Sequence, residues 1–94
     1  MERMMNCIVV IDHEGKIRKF NKTAEETFGY SCGEILGEMF SDKIIAIAQA
    51  TEFAEGLKRF VEMGEWDLLD RRVEFKMRRA GGGEFPVEME LTAL

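Results

Sequence analysis

The sequence predicts an α+β fold in which short helices gather on one face of an antiparallel sheet, and three observations carry that prediction. An apolar, β-branched run occupies residues 7–11. Apolar residues alternate with charged ones over 72–78 and with charged or polar ones over 85–93, the signature of two half-buried strands. Between these regions the apolar spacing is helical and is cut into short pieces by Gly29, Gly37 and Gly64. At 94 residues the chain makes one domain, spanning 1–94, with no room for separate substrate and cofactor domains.

Each element has a local cause. Residues 7–11 carry no polar alternation and read as a strand buried on both faces, internal to a sheet. Asp12-His13-Glu14-Gly15 turns the chain into a more polar second strand over 16–21 that suits a sheet edge. Ile17 and Phe20 are three apart there, so strict alternation keeps only one of them on the core face. Asn21 is the N-cap of a helix over 22–28, with Ala24 and Phe28 on one side and Gly29 as its stop. Ser31 with Glu34 forms a capping box, and Tyr30 with Ile35 a hydrophobic staple, for a second short helix ended by Gly37. From Ser41 the pattern is helical again, with Ile44, Ile45 and Ala48 on one face. Gln49, Thr51 and Glu52 interrupt that stripe, which predicts a break near residue 50 with Thr51 as a new cap. Phe53, Leu57, Phe60 and Val61 then define an amphipathic helix that ends at Gly64.

The two alternating strands form a hairpin. A three-residue loop, Ala80-Gly81-Gly82 with Gly82 left-handed, sets Met77 opposite Phe85, Phe75 opposite Val87 and Val73 opposite Met89. The same register pairs Arg78 with Glu84 and Arg72 with Glu90 on the outer face. It also opposes Glu74 to Glu88, with Lys76 and Arg72 on the diagonals to relieve the repulsion. Pro86 faces Lys76 and has no N–H to give a ladder, which marks an edge or a bulge.

Composition excludes several function classes. A net charge of −5 is the wrong sign for nucleic acid or for an anionic lipid surface. The apolar runs at 7–11 and 44–48 are too short to cross a bilayer, and the first residues lack a signal-peptide pattern, so a cytoplasmic protein is expected. Cys7 and Cys32 are neither spaced as a metal knuckle nor numerous enough for a disulfide framework and read as free thiols. Catalysis finds no residue set: no Ser or Cys has a companion His, and there is no HExxH, phosphate loop or carboxylate cluster. Glu25-Glu26 reads as solvated helix surface, Gly81 to Gly83 as turn geometry and His13 as a solvated turn residue.

Taken together, several blocks resemble one known family. Ile8-Val9-Val10-Ile11-Asp12 with Gly15, Phe20-Asn21-Lys22 with Ala24-Glu25, Phe28-Gly29-Tyr30-Ser31 with Glu34-Ile35-Leu36-Gly37, and Arg78-Arg79 with Gly82 and Phe85-Pro86-Val87-Glu88 resemble a PAS domain of bacterial signalling proteins over residues 7–93. The resemblance implies a sensory or dimerisation module attached to a histidine kinase of a two-component system, a cyclase or a transcriptional regulator. In family members a further strand follows the long hairpin and lies in the centre of a five-stranded sheet, between the first strand and the hairpin. This chain stops at Leu94 without it. The expectation is a PAS-like sheet lacking its final central strand, from a C-terminally truncated domain or one completed by a second copy through exchange or edge pairing. A homodimer through exposed sheet edges follows.

The resemblance also bears on cofactors. Phe53 stands where haem-binding relatives carry a helix histidine, and Phe40 where flavin-binding relatives carry a cysteine, so neither haem of that type nor covalent flavin is expected. What remains is an apolar cavity between the long helix and the sheet, lined by Ile44, Phe53, Leu57, Phe60, Phe75, Met77 and Met89. Ordinary close packing accounts for the same residues, since no charged group is clearly inward to orient a ligand. Methionines at 77 and 89 suit either use. Two functions stay open: a non-enzymatic sensor that relays ligand occupancy or packing to an effector outside this chain, and a ligand-free protein-interaction module.

Overall fold

Asp12 organises the first hairpin. In the computed structural model, which describes residues 6–92, the Asp12 carboxylate accepts the backbone N–H groups of Glu14 and Lys16 at 2.9 and 3.0 Å and holds the Arg18 guanidinium at 3.0 Å. The strands on either side are β1 (Val9–Ile11) and β2 (Ile17–Phe20), paired antiparallel. Their register slips by one residue between Val10 and Ile11, leaving Arg18 without an opposite number. The slip resolves the spacing of Ile17 and Phe20. With one extra residue bulged out between them, both reach the core, at 0% and 4% exposure, where strict alternation admits only one. β1 is shorter than expected and only half-buried, because no strand flanks its other side among the described residues; Cys7 and Ile8 lie outside it and exposed.

The first two helices form as their caps dictate. α1 (Lys22–Phe28) starts at Asn21, whose Oδ1 accepts the Ala24 N–H at 2.9 Å, and stops at Gly29 with φ of 82°. α2 (Cys32–Ile35) carries the full capping box, Glu34 N–H to Ser31 Oγ at 3.3 Å and Ser31 N–H to Glu34 Oε1 at 2.9 Å. Glu25 departs from the solvated role expected of it: its carboxylate accepts the Cys32 N–H at 2.6 Å and ties α2 to α1.

The next two helices break elsewhere than predicted. α3 (Phe40–Lys43) is a single turn, and α4 (Ile47–Met63) runs straight through Thr51. The break falls at residues 44–46 because that segment pairs with the second hairpin. Ile45 bridges Met77, the Ala46 N–H donates to the Lys76 carbonyl at 2.9 Å, and the Arg78 N–H donates to the Ile44 carbonyl at 2.6 Å. A long-range backbone pairing therefore decides where the helix begins, and the Thr51 cap signal is overridden.

That hairpin consists of β3 (Arg72–Arg78) and β4 (Glu84–Glu90), in the expected register through all seven pairs. The loop closes with the Arg79 N–H on the Gly83 carbonyl at 2.9 Å, and Gly81 and Gly82 both take positive φ. The outer charges differ from expectation: Arg72 pairs diagonally with Glu88 at 3.5 Å, and Arg78 turns away from Glu84 altogether. Leu91 leaves the ladder to bridge Leu69, and Ala93 lies outside the described residues. Because Lys76 and Arg78 bond outward to residues 44–49, the ladder to β4 runs through the odd-numbered residues of both strands. The backbone groups of residues 84, 86, 88 and 90 consequently face away from β3. Among the described residues the two hairpins are separate two-stranded sheets, and no strand joins β1 to β4.

Candidate functional site

Phe53 is the centre of the space beneath α4. It is 1% exposed, with its ring centroid 5.3 Å from that of Phe40, 5.2 Å from Trp66 and 6.2 Å from Phe75. Ile44, Phe75 and Met77 are buried in the same cluster, and Met89 packs against it half-buried. Leu57 and Phe60, the remaining two of the seven residues expected to line a cavity, are half-buried on α4 and sit apart from this cluster. Leu57 instead reaches the first hairpin, where a Cβ added at Gly15 would stand 3.2 Å from its Cδ2 and 3.3 Å from Met39 Cε. Trp66 completes the aromatic group by lying against the helix at Gly56, so closely that a Cβ there would overlap the indole Nε1. Reading the sequence missed this pair; the signal was a glycine inside an otherwise amphipathic helix, with the chain's one tryptophan a short loop away.

On the other side of Phe53 lies a cleft of about 170 Å³ between the β1–β2 turn and α4. Met39, Phe53 and Leu57 form its apolar walls, Ser41 lines it from α3, and His13, Glu14, Lys58 and Glu62 stand around it. Phe53 and Leu57 are the two of the seven expected residues that it shares.

The α3–α4 junction is hung on β3 by Arg78. Its Nε donates to the Ile45 carbonyl at 2.8 Å, and its Nη2 donates to the Ser41 carbonyl at 3.3 Å and to that of Asp42. Ser41 and Asp42 belong to the last turn of a helix, whose carbonyls have no partners within it, and a guanidinium fork suits them. At the far end of the hairpin, the Ala80 N–H donates to the Phe28 carbonyl at 2.8 Å, and the Phe28 and Phe85 rings meet at a tilt with centroids 5.9 Å apart.

Both cysteines are free. Desolvation, followed by the Glu25 carboxylate, raises the Cys32 thiol above its ordinary pKa, and desolvation of the thiol raises that of Cys7. Neither is an activated thiolate. Among the described residues no group of three or more His, Cys, Asp and Glu gathers as a metal site, and no helix is long and apolar enough to cross a membrane.

A family described as "PAS domain" matches residues 5–94. An uncharacterised protein of Azorhizobium caulinodans is 29% identical over 89 residues, which is 95% of this chain and 12% of that protein's length. Among solved structures, the PAS domain of the RpfR quorum-sensing receptor of Cronobacter turicensis superposes with a TM-score of 0.71 at 23% identity, both in complex with BDSF and in complex with C12:0. The first covers 93% of this chain and 82% of the neighbour, and the second 90% and 80%. The PAS domain of an HTR-like protein of Haloarcula marismortui gives a TM-score of 0.58 at 22% identity, covering 83% of this chain and 60% of that one.

Proposed function

The chain belongs to the PAS domain family, and from that premise we propose that it is a non-enzymatic sensory module that relays a change around α4, through the second hairpin, to an effector carried outside residues 1–94. The observation that carries the reading is the Arg78 tie. A displacement of α3 or of the start of α4 acts on three carbonyls that the Arg78 side chain holds, and so acts on β3. An effector elsewhere in a longer cytoplasmic polypeptide, such as a histidine kinase, fits a relative of which this chain spans only 12%. Phe40 and Phe53, both core residues, supply no ligand atom for haem iron and no thiol for flavin, so the stimulus in this reading is another small molecule.

The RpfR neighbours in complex with BDSF and C12:0 support an apolar ligand class. In this chain Ile44, Phe53, Leu57, Phe60, Phe75, Met77 and Met89 are the apolar residues around α4 that would face it. Trp66 is the chain's one tryptophan and touches Phe53, so its fluorescence reports on the space. Dodecanoate added to the purified chain is expected to change that emission saturably. An emission that never saturates, with no small molecule retained in native mass spectrometry, rejects the ligand.

A second reading has its own observation: Ile44, Phe53, Phe75 and Met77 are at most 5% exposed, a core already filled. It makes the domain a ligand-free dimerisation module working through the bare flanks of β1 and β4. Sedimentation velocity separates the two, since this reading requires a concentration-dependent dimer that dodecanoate leaves unchanged.

A further inference from the structure

The cleft between the β1–β2 turn and α4 has a distinct chemistry. Among the described residues its Ser41 is the buried polar side chain, 8% exposed. The Ser41 hydroxyl makes no hydrogen bond to a described residue, yet no buried side-chain polar atom there is sealed off without a partner. The hydroxyl therefore keeps some accessible surface, and the opening that Ser41 lines is this cleft. Its surroundings are a thioether at Met39, a ring at Phe53 and a branched chain at Leu57. The charges around the cleft have both signs, Lys58 against Glu62 and Glu14, with Glu14 already 3.6 Å from Lys16, so they select no net charge in a ligand.

Size narrows the class further. About 170 Å³ is close to the roughly 150 Å³ of an engineered cavity that holds benzene, and well below the roughly 300–1,000 Å³ of pockets for drug-sized ligands. A twelve-carbon chain would extend out of it into solvent. We infer that the cleft is a binding site for a compact, uncharged aromatic or branched-aliphatic molecule bearing one hydroxyl, a phenol in the simplest case. The apolar body lies on Met39, Phe53 and Leu57, and its hydroxyl exchanges a hydrogen bond with Ser41. The inference rests on the sensory reading and names a ligand class for it. Because the Ser41 carbonyl accepts from Arg78, occupancy at this serine bears directly on β3.

The test titrates phenol, toluene and dodecanoate separately into the full chain, followed through backbone amide shifts. Phenol is expected to move the amides of Gly15, Ser41 and Leu57 and to bind about fivefold more tightly than toluene, the worth of one hydrogen bond. Ser41→Ala should remove that preference by weakening phenol alone. Ala54→Phe, at an exposed position lining the cleft, should block both. Equal affinity for phenol and toluene, a preference that survives Ser41→Ala, or dodecanoate displacing phenol from the same amides overturns the inference. Dodecanoate binding without phenol binding sinks the ligand class and leaves the sensory reading standing, whereas no response to any of the three sinks both.

Discussion

The two halves of the helical layer are fixed by different means. α1 and α2 carry their own starts: Asn21 and Ser31 accept the N–H groups that those helices would otherwise leave unpaired. α3 and α4 have no side-chain cap among the described residues; α3 ends and α4 begins where they do because residues 44–46 pair with β3 and Arg78 holds the junction. The starts of α1 and α2 are set by contacts three residues apart; the α3–α4 junction depends on partners more than thirty residues away. Local bonds make a helix that forms where its sequence says. Distant ones make a helix whose position answers to another part of the molecule, which is what a relay requires.

If that contrast holds, damage should grade accordingly. Phe53→Ala, which empties the centre of the distant half, is expected to cost about 3–5 kcal/mol and to lower Tm by more than about 12 °C, measured by chemical and thermal denaturation. Arg78→Gln should cost about 2 kcal/mol, since it removes charge-assisted bonds to Ile45, Ser41 and Asp42, with Arg78→Lys recovering part of the loss. Hydrogen exchange in that variant should speed at the start of α4 and leave α1 protected; equal loosening of both would break the contrast. Asn21→Ala should cost about 1 kcal/mol and spare α4 in the same experiment.

The smallest effect is the pH dependence that Glu34 contributes to the local half. Backbone and hydroxyl hydrogen bonds from Ser31 hold the Glu34 carboxyl below its ordinary pKa. A group whose folded pKa is depressed stabilises the fold fully above its unfolded value and loses that contribution as pH falls through the folded one. The contribution of Glu34 should therefore be complete at neutral pH and fade below the ordinary carboxylate range. Glu34→Gln should flatten the acid limb of a stability–pH curve and leave its neutral plateau lower.

The same contrast explains what could be read from the sequence. α1 from Lys22 to Phe28, the Ser31 capping box and all seven pairs of β3 with β4 follow from residues close in the chain or from a turn that sets the register. The break at 44–46 was not legible, because Thr51 offers a sound local cap and only the backbone of β3 overrules it. Ile17 and Phe20 both reaching the core needed the slip at Arg18, which alternation alone cannot announce. For the site, the periodicity found the buried cluster of Ile44, Phe53, Phe75 and Met77, whereas the cleft depended on Gly15 and Ser41 meeting α4 from distant elements.

The bare flank of β4 has one more property. Pro86 sits there among outward-facing backbone groups and offers no donor, and Glu84, Glu88 and Glu90 lie along the same strand. An unfinished sheet ordinarily invites identical chains to stack without limit, as fibrils do. Here a copy laid against β4 would meet an interrupted ladder and a row of carboxylates repelling its own. Stacking of identical chains without limit is thereby disfavoured along this edge.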